Sequence, residues 1–302
     1  MYHRVLPEQH PDRRTEQPGM YVSPETLAMH LVELRRHFEL VHLDDWIRAA
    51  NQGLQVPHNA CAVTFDDGWL DNYEHAYPLL KQFECPATIY LVSDLVGTRY
   101  EFWPNRLSEL LVADDRRALP DWLSAIAERE KLLESSLPVD YIERVDAVIN
   151  ACKAMKSDAE MISLLDEVGL QRARKTSDLR RNLMNWTEIK EMAVGDLIRF
   201  GSHSRRHTRL SDQVSNEVTR DEIVNSAAVI ERNLGSKPKT FCYPNGDYSA
   251  AALGVVRKHY EAAVTTRTGW NALHTDKHVL NRVGVHEDIT NDSVGFLSRI
   301  AR

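Results

Sequence analysis

The chain alternates between two hydrophobic patterns, one typical of amphipathic helices and one typical of strands that are apolar on both faces. Short apolar runs predict strands at 40–43, 60–65, 87–92, 197–200, 240–243, 262–266 and 278–285. Helical spacing predicts helices at 23–38, from 44 onward, at 72–83, 186–192 and 216–234. Buried strands that alternate with helices indicate an α/β fold with a parallel sheet. Six or seven such units favour a barrel over an open nucleotide-binding sheet, and no glycine-rich phosphate-binding motif occurs.

Residues 100–183 show a different pattern. Apolar residues recur there at helical spacing, as at Leu107, Leu110 and Leu111. We therefore expect three or four helices inserted between two barrel units. None of the 13 histidines lies in this stretch. The sequence predicts a barrel formed by residues 1–99 and 184–302, with residues 100–183 as a helical cap.

Composition narrows the class of protein. A chain of 302 residues that is 43% hydrophobic and 27% charged matches an ordinary globular protein. Its formal charge of −7 argues against nucleic-acid binding, which usually requires a basic surface. No apolar run is long enough to span a membrane, and the N-terminus lacks the features of a signal peptide. The four widely spaced cysteines predict free thiols.

These features favour a cytoplasmic location. A true start further upstream would instead allow a periplasmic or extracellular one. Peripheral contact with a membrane and the oligomeric state stay open.

Candidate chemistry follows two of the predicted strands. Asp66 and Asp67 are adjacent where the strand at 60–65 ends, and the carboxyl ends of strands carry the active sites of parallel α/β folds. The alternative is a tight turn with a helix cap. His203 and His207 follow the strand at 197–200, and their spacing can bring both rings to one ion, on a helix or in a compact loop.

By themselves, two histidines in a polar loop are more often solvated. Together with a carboxylate from the first segment they would form a facial metal triad, with open positions for water and substrate.

The order Thr-Phe-Asp-Asp-Gly at 64–68 and His-Ser-Arg-Arg-His at 203–207 resembles the first two motifs of the polysaccharide deacetylase family, carbohydrate esterase family 4. The resemblance covers roughly residues 1–99 and 184–300. It implies a distorted (β/α) barrel that holds a divalent metal, usually zinc, and removes N-acetyl groups from amino-sugar polymers. It also implies that Asp67, His203 and His207 are the metal ligands and that Asp66 is the general base.

The third motif departs from the family pattern, because Cys242 stands where the family has an arginine. A branch resembling the exopolysaccharide N-deacetylases shares this departure and uses an N-terminal Tyr-His as general acid, which Tyr2-His3 matches. His286 lies nearer the usual C-terminal motif and is the competing acid. The backbone N–H of Asn245 would hold the oxyanion together with the metal.

The sequence therefore predicts a metal-dependent hydrolase that removes N-acetyl groups from an amino sugar in a surface polysaccharide or its precursor. A divalent metal acidifies water, a nearby carboxylate takes the proton, and His3 protonates the departing amine. Trp69, Tyr243 and Trp103 are candidate sugar contacts, with packing in the core as the alternative for these rings.

A basic cluster at 172–181 is interpreted as a solvated face, with contact to a phosphate of a linked sugar as the alternative. Two other functions stay open. One is an amidohydrolase of the same family that acts on a small amide, imide or formamido sugar. The other is a non-catalytic carbohydrate-binding protein with a degraded site.

Overall fold

The computed structural model describes residues 1–17, 19–112, 119–132, 138–171 and 181–301. The strands are β1 (Arg4–Val5), β2 (Tyr21–Val22), β3 (Glu39–Leu40), β4 (Ala60–Cys61), β5 (Val63–Phe65), β6 (Ala87–Leu91), β7 (Ile198–Ser202), β8 (Thr240–Cys242) and β9 (Ala262–Val264). The helices are α1 (Pro24–His37), α2 (Leu43–Asn51), α3 (Tyr77–Gln82), α4 (Trp103–Val112), α5 (Asp121–Arg129), α6 (Pro138–Met155), α7 (Asp158–Gln171), α8 (Trp186–Met192), α9 (Asn216–Arg220), α10 (Ser226–Leu234), α11 (Ala250–His259), α12 (Glu287–Thr290) and α13 (Ser293–Ile300).

A five-stranded parallel sheet in the order β5-β6-β7-β8-β9 forms the centre of the fold. At one edge Tyr2 pairs with Phe65 of β5, and at the other Val264 of β9 pairs with Leu280. The two edges meet where Val285 donates a backbone hydrogen bond of 3.3 Å to the carbonyl of Met1. The sheet therefore curls into a distorted barrel, which confirms the predicted fold class. The predicted strand at 278–285 closes this ring but pairs regularly only at Leu280.

Local sequence signals account for the helix ends that flank the barrel strands. The Ser23 hydroxyl accepts a hydrogen bond from the Thr26 N–H at 3.0 Å, which caps α1 as predicted. Gly235 ends α10 with a φ of 74°, a left-handed conformation that glycine adopts without strain. The predicted strand at 40–43 is wrong at its end, because Leu43 begins α2. The carboxylates in the first turn of that helix stabilise it, because they lie at the positive end of the helix dipole.

Four helices, α4 to α7, lie within the segment predicted as a cap. Their buried apolar side chains form a cluster of their own, including Leu107, Leu123, Val148 and Met161. Whether residues 100–183 behave as a separate unit stays a prediction. Arg172, Arg174, Lys175 and Arg180 of the basic cluster lie outside the described residues. Within the described ranges, no helix combines the length and the apolar character that crossing a bilayer requires.

Candidate active site

The carboxylates of Asp66 and Asp67 lie at the carboxyl edge of the sheet, directly after β5, and both are buried. Asp67 has a φ of 73°, in the left-handed region that a residue with a Cβ seldom adopts. Gly68 follows with a φ of 74°, and a Cβ there would lie 2.9 Å from a methyl carbon of Leu91. The turn therefore depends on glycine at 68, and it gives the two adjacent carboxylates different partners.

His203 and His207 come from the loop that follows β7. The loop is compact and non-helical, with Ser204 at a φ of 63° and His207 at a φ of 64°. It brings the two rings to a centroid separation of 4.9 Å. The Nε2 atoms of His203 and His207 lie 3.3 Å and 3.4 Å from Oδ1 of Asp67. The structure thus brings together the three residues predicted as metal ligands.

These three side chains have the chemistry and the spacing of a catalytic metal site. The ligand atoms lie within 4.8 Å of one another. Zinc bonds of about 2.0–2.2 Å in tetrahedral geometry place neighbouring ligand atoms about 3.3–3.5 Å apart, as observed around Asp67 Oδ1. In the described part of the chain, this buried oxygen has no partner in hydrogen-bond geometry. A cation between the three side chains would satisfy it and would leave a position open for water or substrate.

A hydrogen bond behind His203 fixes which ring nitrogen faces the site. Its Nδ1 lies 2.8 Å from the carbonyl oxygen of Cys242, which can only accept. Nδ1 therefore donates, and in the neutral ring the lone pair lies on Nε2, toward Asp67. The Trp69 indole donates a hydrogen bond of 2.9 Å to Asp67 Oδ2, which holds the carboxylate in place.

Without a cation, the three groups share protons unequally. Although burial favours the neutral ring, Cys242 and Asp67 raise the pKa of His203 well above its ordinary value. Burial lowers the pKa of His207 to about 4. Burial opposes ionisation of Asp67, but the two histidines lower its pKa to about 2. One carboxylate between two imidazoles thus favours one imidazolium and one neutral ring.

Arg282 holds Asp66, and the sequence analysis did not identify it. Its guanidinium donates hydrogen bonds of 2.7 Å to each carboxylate oxygen of Asp66 and lies 3.1 Å from Sγ of Cys242. Although burial opposes ionisation, Arg282 lowers the pKa of Asp66 far below its ordinary range. The available signal was a lone charged residue within the apolar run 278–285, which a buried strand excludes unless the charge is paired.

His3 faces the same carboxylate. Its Nε2 lies 3.8 Å from Oδ2 of Asp66, and burial lowers its pKa, against the opposing effect of the carboxylates of Asp66 and Asp67. The neighbouring Tyr2 points to the opposite side of this extended segment, where its ring stacks on that of Phe65 with ring centroids 5.1 Å apart. This alternation points His3 toward the site.

The competing histidine has other partners. His286 lies at the N-terminus of α12, where its ring contacts the carboxylate of Asp288. The structure therefore brings His3 to Asp66. It places the ring of His286 against the carboxylate of Asp288 instead.

The three predicted sugar contacts are interior side chains. Trp69, Trp103 and Tyr243 are 2%, 5% and 0% exposed. Trp103 donates to Asp158 at 2.8 Å, and the Tyr243 hydroxyl donates to the carbonyl of His278 at 3.1 Å. Their burial supports the packing interpretation, because a buried ring has no face to offer a sugar. Stacking on them stays a prediction that this burial disfavours.

Asn245 lies on the exposed rim of the site, in the short turn Pro244–Gly246 that follows β8. Its φ of 54° lies in the left-handed region, and its carbonyl accepts a hydrogen bond of 3.0 Å from the hydroxyl of Thr266, which follows β9. Gly246 fits closely here, since a Cβ would lie 2.3 Å from the same hydroxyl. The oxyanion role of the Asn245 N–H stays a prediction.

Helices α4 to α7 touch the histidine loop at two points. Phe102, directly before α4, packs edge-on against His207 with ring centroids 5.0 Å apart. Arg209 pairs with Asp158 of α7 at 2.9 Å and donates to the carbonyls of Lys153 and Lys156 near the end of α6. The segment predicted as a cap thus contacts a candidate metal ligand and the chain just after it.

Comparison with known proteins assigns the family. The family model for polysaccharide deacetylases matches residues 54–130 and 159–263, which is more than half of the chain. The chain belongs to the polysaccharide deacetylase family, as the two motifs predicted. The Bacillus subtilis protein YxkH, whose name refers to the same family, is 36% identical over 55 residues, or 18% of this chain. That match spans only 20% of the length of YxkH.

Solved structures share the fold over nearly the whole chain. The deacetylase PplD of Streptococcus pyogenes, in complex with acetate, has a TM-score of 0.64 at 18% identity, covering 99% of this chain and 96% of PplD. IcaB of Ammonifex degensii has a TM-score of 0.61 at 19% identity, covering 99% and 94%. A de-N-acetylase of Aggregatibacter actinomycetemcomitans has a TM-score of 0.60 at 16% identity, covering 99% and 97%. At these identities the likeness establishes the fold alone.

Proposed function

We propose that this chain is a metal-dependent hydrolase that removes N-acetyl groups from an amino sugar in a surface polysaccharide or its precursor. The observation that carries this proposal is the convergence of Asp67, His203 and His207 beside Asp66, in a chain of the polysaccharide deacetylase family. The names of two proteins with the same fold support it. PplD is called a deacetylase, and the Aggregatibacter actinomycetemcomitans protein is called a de-N-acetylase.

In the proposed mechanism, Asp67, His203 and His207 hold a divalent metal ion, with zinc as the best fit to this donor set. When bound, such an ion acidifies water and polarises the amide carbonyl. Asp66 takes the proton of the attacking water, and Arg282 keeps this carboxylate ionised and fixed in direction. The N–H of Asn245 stabilises the developing oxyanion.

His3 completes the proposed reaction by protonating the departing amine. Its Nε2 lies 3.8 Å from Oδ2 of Asp66. The group that takes a proton from water and the group that gives one to the amine are therefore close neighbours. Burial lowers the pKa of His3, which makes its protonated form a stronger acid. This assignment agrees with the proposed branch of exopolysaccharide N-deacetylases that carry an N-terminal Tyr-His.

The test is a substrate panel in which acetate release is assayed for the N-acetylated sugars, formate release for the formamido sugars, and hydrolysis of the C–N bond for the small amides and imides. It contains N-acetylglucosamine oligomers, nucleotide-linked and lipid-linked N-acetyl sugars, and small amides, imides and formamido sugars. Each is assayed with the zinc-loaded protein, with the protein stripped by a chelator, and after zinc is restored. We expect acetate release from N-acetylated sugars only in the loaded protein.

The other outcomes separate the alternatives. Turnover confined to the small amides, imides or formamido sugars would replace the proposal with the amidohydrolase. Binding of sugar without turnover of any substrate would replace it with the non-catalytic protein. Full turnover after complete removal of metal would contradict the metal-dependent mechanism.

A further inference from the structure

The loop between the two candidate histidine ligands cannot stabilise itself as a helix or a strand. Ser204 and His207 both have positive φ values, which interrupt regular hydrogen bonding along the loop, so the intervening backbone groups need partners elsewhere. The positions of the two imidazoles depend on those partners, because each ring is attached directly to this short segment.

The carbonyl groups of the loop are bound from the end of β6. The N–H of Ser93 donates to the Ser204 carbonyl at 3.2 Å, and the N–H of Asp94 donates to the Arg205 carbonyl at 3.0 Å. These bonds continue the pairing of β6 with β7 and hold one side of the loop to the barrel.

Two N–H groups of the loop are bound by a single carboxylate, that of Glu222. Its Oε2 accepts hydrogen bonds of 2.9 Å from the N–H groups of both Arg205 and Arg206, the two residues between His203 and His207 that follow Ser204. Its Oε1 accepts a hydrogen bond of 3.1 Å from the Arg206 guanidinium. Glu222 is 0% exposed, which a carboxylate tolerates only when its oxygens are paired.

The helix that carries Glu222 is irregular at this point. Residues Asp221–Asn225 form a π-helical turn between α9 and α10. Such turns are rare and occur frequently at functional sites, because the extra residue changes the direction of a side chain. Here the turn carries the residue whose carboxylate reaches the histidine loop.

We propose that Glu222 is a positioning residue that sets the separation of His203 and His207 and thereby the metal affinity of the site. The proposal rests on the proposed metal-dependent function. Removing the carboxylate leaves two N–H groups of the loop without their acceptor, and the loop then relaxes toward geometries that satisfy them. Loss of an outer partner of this kind typically weakens metal binding by about 10–100-fold.

The experiment compares zinc affinity in the wild type, Glu222→Ala, Glu222→Gln and Asp221→Asn by competition with a chromophoric chelator. Glu222→Ala is expected to bind zinc about 10–100-fold more weakly. Glu222→Gln keeps the volume and one acceptor oxygen but loses the charge, so we expect a smaller loss of zinc affinity than in Glu222→Ala. Asp221→Asn is the matched control, because the Asp221 carboxylate meets the loop only through arginine side chains and should leave the affinity unchanged.

A second measurement reports coordination geometry independently of stability. The visible spectrum of the cobalt-substituted protein is expected to change in both Glu222 variants and to stay unchanged in Asp221→Asn. If Glu222→Ala does not fold, as judged by circular dichroism, Glu222→Gln gives the decision. Zinc affinity and cobalt spectrum equal to the wild type in a folded Glu222 variant would overturn the inference. Absence of stoichiometric zinc binding in the wild type would instead overturn the proposed function.

Discussion

The guanidinium of Arg282 donates two hydrogen bonds of 2.7 Å to the carboxylate of Asp66, a residue 216 positions away in the chain. The same guanidinium lies 3.1 Å from the thiol of Cys242, the residue that stands in place of the arginine in the third family motif. A cation therefore reaches Asp66 from the segment that closes the barrel, although the motif itself lacks one. The departure at Cys242 does not leave the proposed base without a positive partner.

Replacing Arg282 by methionine should raise the pKa of Asp66, because burial then acts without the opposing cation. Since catalysis needs the ionised carboxylate, we expect the acidic limb of kcat/KM to move upward by about 1–3 pH units. The measurement is a pH–rate profile, with Arg267→Met as an exposed arginine control. An unchanged acidic limb in an active Arg282→Met variant would remove Arg282 from the proposed role.

Replacing Asp67 by asparagine should abolish tight metal binding. Asparagine tolerates the left-handed φ of 73° at this position, so the variant tests the ligand rather than the turn. Loss of an outer hydrogen-bond partner weakens metal binding by about 10–100-fold. We expect Asp67→Asn and His207→Ala to weaken zinc binding by more than this, because each removes a proposed ligand. Zinc content after dialysis measures it, and wild-type zinc content in Asp67→Asn would rule out this ligand assignment.

Replacing Asp66 by asparagine should affect turnover and leave metal binding intact, unlike the change at Asp67. The variant is expected to keep zinc and to lose about 10²–10⁴-fold in kcat, which is the usual contribution of a general base. Thermal unfolding should be followed in parallel, because the change leaves the Arg282 charge buried without its partner. Activity near that of the wild type in a zinc-loaded Asp66→Asn variant would reject Asp66 as the base.

His3 and His286 can be compared directly as alanine variants. We expect His3→Ala to lower kcat by about 10²–10⁴-fold, because the Nε2 of His3 lies 3.8 Å from the Asp66 carboxylate. His286→Ala should stay within a few-fold of the wild type, since its ring pairs with Asp288 instead. The measurement is kcat of both zinc-loaded variants. A larger loss of kcat in His286→Ala than in His3→Ala would reassign the general acid to His286.

Zinc binding should release one proton in weakly acidic solution. The pKa of Asp67 is lowered to about 2 and that of His207 to about 4, so both are already deprotonated above these values. His203, whose pKa is raised, must lose its proton to bind the metal. Apparent affinity should therefore fall about tenfold for each pH unit below the raised pKa. Calorimetry in buffers of different ionisation enthalpy counts the protons, and release of two would contradict this distribution.

The sequence by itself determined the barrel class and the residues to which the proposed chemistry is assigned. Buried strands alternating with helices indicate parallel βα units, because only covered strands can be apolar on both faces. The turn after β5 and the loop after β7 are local, so Asp66, Asp67, His203 and His207 could be assigned to the carboxyl edge before their distances were known. A parallel sheet brings these loops together without further information.

Only the tertiary structure decided which distant residues complete the site. Arg282 and Glu222 contact Asp66 and the histidine loop across long stretches of chain, and no local pattern specifies such pairs. The burial of Trp69, Trp103 and Tyr243 likewise depends on what packs over them, since an aromatic residue serves a core and a sugar site equally well in sequence. Local periodicity determines elements and edges, whereas pairing of buried charges depends on the three-dimensional packing of segments far apart in the chain.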